Sequence, residues 1–321
     1  MLDNSLDSIE AGSERDFTAD PNWHKQIKDK NKKAALIIGA AVLLFTIVRI
    51  VLVYFHVDPE LHFYTTGSVS IFDYAVVLII AALYISAFFF YRRKGDEKNY
   101  SAVTHSFVQG TQTLVFSAAI AGCILAVSAV LQIWSMITAG GEQFAALYTR
   151  ERILDILILI TAALSSVYFF STAARDSDIG TSEIKYSQRY VIISMMPIIW
   201  SFLNTFNMFF DMSRSVNSPV RIYELMCFLA LSLYFVSETR MIIGRRSIAK
   251  YFTFAYIAML LAALSAIPNL ILSSFWIMQS NDSPIMYAAQ IAFVLYIYAR
   301  IYSQLRYGTF GLQYDDSAEE Q

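Results

Sequence analysis

Charged residues are scarce in this sequence. Only 16% of its 321 residues are Asp, Glu, Lys or Arg, whereas soluble domains carry about 25%. The formal net charge is −2, so the chain has no overall field that attracts nucleic acid. We therefore expect neither a soluble domain nor a nucleic-acid partner.

Cysteine and catalytic motifs are scarce as well. The two cysteines, Cys123 and Cys227, both fall inside apolar stretches, which argues against a disulfide scaffold and is typical of small packing residues. The sequence contains no glycine-rich phosphate loop, no His-Glu-x-x-His and no nucleophile elbow. These absences argue against an enzyme and give no reason to expect a cofactor.

Apolar residues, by contrast, are abundant and clustered. They make up 56% of the chain and fall in blocks of roughly 20, the length that crosses a ~30 Å hydrocarbon core at 1.5 Å per residue. We predict an all-α polytopic transmembrane bundle of about eight helices in the cell membrane, with the lipid bilayer as its first partner. The eight segments, numbered in chain order, cover residues 34–55, 71–91, 107–137, 153–171, 190–210, 222–239, 251–277 and 285–303.

Two polar tails flank this transmembrane domain of residues 34–303. Residues 1–33 end in a cluster of lysines that we expect to lie against lipid headgroups. Residues 304–321 form a short acidic tail. The first tail is far longer than the n-region of a signal peptide, so the first segment is expected to remain in the protein as a membrane helix.

The lysines and arginines predict the orientation of the chain. Nineteen of the 24 lie in the two tails or beside the loops after the second, fourth and sixth segments, and four lie on the other side. Because basic flanks are translocated poorly, we expect the larger group, and both termini, in the cytoplasm. All the loops are short, so any functional site must be built by the helices or their outer turns.

The last four segments contain a short internal repeat. Asn217-Ser218-Pro219-Val220 precedes the sixth segment and the similar Asp282-Ser283-Pro284-Ile285 precedes the eighth, although Ser-Pro is also a common start for any helix. The fifth and seventh segments each contain a proline, Pro197 and Pro268. The even-numbered segments begin near a polar residue: Asp73, Asp155, Glu224 and Gln290. We interpret the pattern as four related helical hairpins.

Two stretches carry a resemblance to known sequences. Residues 196–202 read Met-Pro-Ile-Ile-Trp-Ser-Phe, and residues 231–240 read Leu-Ser-Leu-Tyr-Phe-Val-Ser-Glu-Thr-Arg. Together with the Ser-Pro turn between them, they make the region 190–300 resemble uncharacterised multi-pass membrane proteins of clostridia-type Gram-positive bacteria. The resemblance implies the same architecture. Those proteins have no assigned activity, so it implies no function.

Arg49 is the residue that fits least well in a membrane helix. It lies within the first segment, and an arginine costs about 2.5–3.5 kcal/mol at the bilayer centre. Its place in the outer third of the segment allows either snorkelling to the interface or an ion pair with an acid at similar depth. The candidate partners are Asp73, Asp155 and Glu224. The functional alternative is that Arg49 binds a solute or couples to an ion.

The fifth and seventh segments are unusually polar. Ser201, Asn204 and Asn207 lie on one side of the fifth segment, and Asn269 directly follows the proline of the seventh. Serine and asparagine commonly join membrane helices by hydrogen bonds. Alternatively, two proline-containing polar helices line a cavity for a small polar solute or ion, as in transporters with interrupted helices.

The first outer loop contains possible metal ligands, namely His56, Asp58, Glu60 and His62. Imidazole and carboxylate groups are the ligands of zinc and similar ions. Their spacing matches no established motif, and a turn at Pro59 brings such residues together in an ordinary polar loop. Both a metal site and a plain turn therefore stay open at this point.

Three functions follow from these features. The first is a transporter-like or solute-binding membrane protein, which uses Arg49, the outer acids and the two polar segments. The second is a scaffold or sensor subunit whose basic loops dock a protein partner, and the third is an intramembrane enzyme on lipid substrates. A cavity lined by Asn204, Asn207 and Asn269 would favour the first. A filled bundle with these groups bonded to one another would favour the second.

Overall fold

The computed structural model describes residues 23–58, 63–65, 67, 71–80, 82, 112–138, 149–177, 188–210, 218–243, 248–275 and 284–307. These residues are almost entirely helical, and the extended pairing among them is one isolated bridge between Val57 and Tyr64. The helices are α1 Trp23–His56, α2 Ile71–Ile80, α3 Gln112–Thr138, α4 Thr149–Ser177, α5 Gln188–Ser194, α6 Met196–Phe210, α7 Pro219–Ile242, α8 Ile248–Ser274 and α9 Pro284–Tyr307.

Seven stretches in the described part of the chain are long and apolar enough to cross a membrane. They lie in α1, α3, α4, the α5–α6 pair, α7, α8 and α9. The predicted second segment corresponds to the shorter apolar helix α2. Residues 81 and 83–91 of that segment lie outside the described part. The predicted all-α polytopic bundle is confirmed.

Proline determines several helix boundaries. α7 and α9 begin at Pro219 and Pro284, where the missing N–H is not needed because the first turn has no intrahelical acceptor. The fifth segment is split by a turn at Met195, two residues before Pro197, which donates no N–H to the preceding turn. α1 begins at Trp23, so the lysines of residues 25–33 lie on a helix that continues into the membrane span.

Six of the seven spans pack into a closed ring in the order α3, α4, α6, α7, α8, α9 and back to α3. The short α5 packs with α4 and α7, and α1 lies outside the ring against α8 and α9. α8 is the most buried span and α1 the least. A Cβ at Gly39 of α1 would come within 2.9 Å of the Tyr298 ring on α9, so glycine permits the close approach of these two helices.

Aromatic side chains fill the middle of the ring. Phe293 of α9 has ring centroids of Phe169, Phe235 and Trp200 each 5.5 Å from its own. All four rings are buried, and their separations are typical of favourable aromatic pairs. We call these four residues the aromatic cluster. In this structure the cluster blocks the centre of the bundle.

The outer faces of the helices are apolar and exposed. Leu78 and Ile137 are each 70% exposed, and Phe55 and Phe116 are about as open. A soluble protein rarely presents so much contiguous apolar surface, whereas lipid solvates it without cost. At one end of the bundle Val53 of α1 and Val57, just after α1, pack with Val220 of α7 and Leu272 of α8. We call this the Val57 end. From the distribution of basic residues, it is predicted to be the outer one.

Candidate functional site

Arg49 is held inside the bundle, where it is 2% exposed. Its Nε donates a hydrogen bond of 3.0 Å to the carbonyl oxygen of Leu264 on α8. That carbonyl is available because the residue four positions further along is Pro268, which has no N–H to complete the helical bond. The guanidinium carbon also lies 3.4 Å from the ring centroid of Tyr223 on α7, within cation–π range. Snorkelling to the interface is therefore not how Arg49 is accommodated.

Asp73 of α2 completes the environment of Arg49. Arg49 Nη1 lies 3.6 Å from Asp73 Oδ1. The hydroxyls of Tyr64 and Tyr223 donate to the same oxygen at 2.9 and 2.8 Å. The predicted ion pair therefore forms, and of the three candidate acids Asp73 is the partner. The opposite charge offsets much of the cost of placing arginine in a membrane helix.

The loop after α1 positions Tyr64 under Asp73. The main chain folds back through hydrogen bonds from Asp58 N to the Phe63 carbonyl, 2.8 Å, and from Thr65 N to the His56 carbonyl, 2.8 Å. This narrow pairing directs the Tyr64 hydroxyl to the carboxylate. Burial raises the pKa of Tyr64 to about 12, with the Asp73 charge adding to the rise and Arg49 opposing it. Tyr64 is therefore a protonated hydrogen-bond donor at neutral pH.

A cavity of about 370 Å³ adjoins this cluster, within the ~300–1,000 Å³ typical of small-molecule sites. Its lining residues are Phe63, Tyr64, Asp73, Val76, Val77, Ile80, Pro219, Ile222, Tyr223, Met226 and Leu261. Most of this wall is apolar, and the polar part is Asp73 with its two tyrosines. Val77, Ile222 and Met226 are also exposed on the outer surface, so the cavity is open toward lipid between α2 and α7.

A second polar cluster lies around Glu224, which is fully buried on α7. Asn269 Nδ2 and the Tyr287 hydroxyl donate to Glu224 Oε1 at 3.0 and 2.9 Å, so the cluster joins α7, α8 and α9. Ser265 and Gln290 lie one turn closer to the middle, on the same faces as Asn269 and Tyr287. Both are buried, and the Ser265 hydroxyl and the Gln290 amide have no hydrogen-bond partner among the described residues.

A third cluster lies toward the other end of the bundle and was missed by the sequence analysis. Arg300 Nε of α9 lies 3.3 Å from Glu238 Oε1 of α7, with both side chains buried. The Tyr296 hydroxyl donates to the same oxygen at 2.6 Å and accepts from Arg300 Nε at 3.2 Å. The available signal was an acid and an arginine near the ends of two apolar segments. In the sequence, Arg300 is one of the nineteen basic residues assigned to the cytoplasmic side.

The polar residues of the fifth segment form mainly local contacts. Ser201 Oγ accepts from Ser232 Oγ of α7 at 2.9 Å, which joins the two helices. Asn204 is buried and donates to the Trp200 carbonyl of its own helix at 2.8 Å, while Asn207 is half-buried. Neither these three residues nor Asn269 lines the 370 Å³ cavity, so this cavity is not the asparagine-lined one that the transporter hypothesis predicts. Of the predicted pathway residues, the structure brings together Arg49 with Asp73 and Glu224 with Asn269.

The remaining predicted residues lie apart from this site or outside the described part. Asp155 is half-buried on α4, which packs against α3, α5 and α6. Of the predicted metal ligands, His56 and Asp58 are half-buried, whereas Glu60 and His62 are not among the described residues. Within the described ranges, no three His, Cys, Asp or Glu side chains form a metal-binding group. The metal site stays a prediction.

No family model, curated protein or solved structure matches this chain. The functional argument therefore depends on the residues of the chain itself. The resemblance to clostridia-type membrane proteins stays an expectation from the sequence.

Proposed function

We propose that this integral membrane protein binds a small solute in the cavity beside Asp73 and carries it across the bilayer, as a transporter-like protein. The observation that carries the proposal is the 370 Å³ cavity, whose polar wall is the Asp73 carboxylate paired with a buried arginine. An apolar pocket with a few converging polar groups is the usual form of a small-molecule site. Ionisable groups inside membranes commonly mark substrate pathways.

The position of the cavity supports movement as well as binding. Its walls come from α2, α7 and α8, and Arg49 adds α1 through its bond to the carbonyl left open by Pro268. A solute that displaces part of this network changes contacts among four helices at once.

The arrangement along the bundle also fits one closed state of a transporter. The cavity and the Glu224 cluster lie toward the Val57 end, the aromatic cluster blocks the middle, and the Glu238–Arg300 pair closes the opposite end. Transport would require the aromatic cluster and the buried ion pair to separate. A scaffold has no need for a cavity on one side of such a barrier.

Alternating access provides the test. Val76 lines the cavity and is buried, so we would place a single cysteine there (Val76→Cys) after replacing the native cysteines (Cys123→Ser, Cys227→Ala). A membrane-impermeant methanethiosulfonate reagent would be added to right-side-out and to inside-out vesicles. We expect modification from both faces, because a transporter opens its site to each side in turn.

Matched positions make the result interpretable. Leu78→Cys on the lipid-facing side of α2 should react slowly from either face, and Thr65→Cys in the exposed loop should react quickly from one face. Modification of Val76→Cys from one face only would overturn the transport proposal. That outcome would favour the scaffold or sensor alternative with a ligand-binding pocket.

A further inference from the structure

We infer that the cavity accepts an uncharged lipophilic molecule whose polar end is a hydrogen-bond donor, such as a long-chain alcohol. This inference rests on the proposed function, because it names the class of molecule that the same cavity takes. It follows from three properties of the cavity wall: which of its polar groups donate and which accept hydrogen bonds, its balanced charge, and its opening toward lipid.

The polar wall of the cavity offers acceptors and no donors. Tyr64 and Tyr223 each have one hydroxyl proton, and both protons are already donated to Asp73 Oδ1. Their oxygens therefore retain only lone pairs. No described residue donates a hydrogen bond to Asp73 Oδ2, although the Asp73 side chain is 30% exposed and lines the cavity. The Tyr223 oxygen and Asp73 Oδ2 are thus the acceptors on this wall that remain for a donor of the bound molecule, while the Tyr64 oxygen interacts with Arg49.

The charge of the site is already balanced. Arg49 lies 3.6 Å from Asp73, so a cationic head would bring an uncompensated positive charge into a weakly polar region. An anionic head would meet the Asp73 carboxylate and the lone pairs of the Tyr223 oxygen and be repelled. A quaternary ammonium has no proton to donate. A hydroxyl supplies the missing donor without a change in net charge.

The rest of the wall requires an apolar body. The cavity is lined by Val76, Val77, Ile80, Met226 and Leu261, and part of this lining is exposed on the surface that lipid solvates. A lipophile that has partitioned into the bilayer can therefore enter sideways, between α2 and α7. Its polar end would reach Asp73, which lies one turn before Val77 on α2.

Photolabelling tests the inference directly. The full chain in lipid nanodiscs would be irradiated with a diazirine-bearing decanol, and the labelled residues mapped by mass spectrometry. Unlabelled decanol, decyl methyl ether, decanoate and decyltrimethylammonium would compete at equal concentration. We expect labels on Val77 or Met226 and competition by decanol at about five- to tenfold lower concentration than the ether, the size of one hydrogen bond.

Variants separate this inference from the proposed function. Val77→Phe fills the cavity and should abolish labelling, while Leu78→Phe makes the same change on the lipid-facing side of the helix and should not. The double variant Arg49→Gln with Asp73→Asn keeps the net charge of the site at zero. It replaces one carboxylate oxygen by an amide NH2, which donates, so most of the preference for decanol over the ether should be lost. Retention of folding is checked by size-exclusion chromatography and thermal unfolding.

Each outcome bears on the claim. Equal competition by the ether or tighter competition by decanoate, with Val77→Phe still blocking, overturns the donor preference and leaves binding at the cavity intact. Labelling that is insensitive to Val77→Phe overturns both the inference and the cavity as a binding site. Labelling at the cavity with decanol preferred, and the preference lost in the double variant, supports the inference.

Discussion

At the scale of single residues, this protein tolerates an arginine in a membrane helix by distributing the guanidinium contacts over three neighbours. Arg49 has a carboxylate, a tyrosine ring and a main-chain carbonyl within reach. The carbonyl of Leu264 is open because Pro268 lacks an N–H. The proline thus leaves a main-chain carbonyl open inside the membrane, where such carbonyls normally accept a hydrogen bond from their own helix.

The pairing of Arg49 with Asp73 predicts non-additive mutations. Arg49→Gln or Asp73→Asn alone should lower the free energy of unfolding, because each leaves the other charge without its partner. Breaking a buried pair costs about 3–5 kcal/mol. We expect the Arg49→Gln loss to be smaller, since Asp73 is partly exposed and retains two tyrosine donors.

The double variant should lose less than the sum of the two single variants. The measurement is equilibrium unfolding in mixed micelles, with the exposed Lys33→Gln on α1 as a control for a change of charge alone. Additive losses would mean that the 3.6 Å contact contributes nothing to the fold.

Residue-level prediction from the sequence succeeded where a charge stood inside an apolar block. Arg49 stands out in the first segment, and the acids at similar depth limited its partners to three. Glu238 and Arg300 lie near segment ends. There the sequence does not distinguish a charged residue at the membrane interface from one buried inside the bundle. Only their relative rotation on α7 and α9 shows that they face each other.

At the scale of helices, two prolines have different effects. α8 remains continuous through Pro268, and Arg49 donates to the Leu264 carbonyl that Pro268 leaves without its helical N–H. The fifth segment instead breaks at Met195 into α5 and α6. Sequence alone locates both prolines but does not give the tertiary partner that decides between a continuous helix and a break.

The Glu238–Arg300 pair predicts how α7 and α9 are held together at the end away from Val57. Arg300→Gln should weaken this contact and raise the rate at which the Val76→Cys thiol is modified from that face, by about tenfold. The reason is that the buried pair must separate before this end opens. Arg240→Gln changes an exposed arginine on the same part of α7 and should leave the rate unaltered.

Thermal unfolding of the same variants distinguishes opening from general loosening. Arg300→Gln could lower the unfolding temperature and raise the modification rates of Thr65→Cys and Val76→Cys by the same factor. In that case the pair stabilises the fold and has no gating role. A selective effect on the cavity position supports a gate.

At the scale of the whole molecule, the ring of six spans contains two polar clusters, one around Glu224 and one at the Glu238–Arg300 pair. The aromatic cluster lies between them. Seven of the eight predicted segments are long, apolar helices in the described part of the chain, and the second corresponds to the shorter α2. Segments of this length were predictable because hydrocarbon thickness requires apolar stretches of a known size. The cavity was not predictable, since it depends on α2 standing away from α7 over a few residues. The four-hairpin repeat stays a prediction.

Labelling of single cysteines tests the orientation of the molecule. Thr65→Cys at the Val57 end should react with an impermeant maleimide added to intact cells, whereas Lys33→Cys should react only after permeabilisation. Both side chains are exposed, so access to the reagent depends on the side of the membrane. The reverse pattern would contradict the orientation predicted from the basic residues and place the Val57 end in the cytoplasm.

The length of α1 has a mechanical consequence. Its 34 residues span roughly 51 Å, well beyond the ~30 Å hydrocarbon core, and the helix packs on the ring mainly through α8 and α9. Arg49 pins this rod near one end, while the lysine-bearing stretch forms the opposite end. A tilt of α1 by a few degrees about Arg49 would therefore displace the lysine-bearing end by several ångströms at the opposite membrane surface.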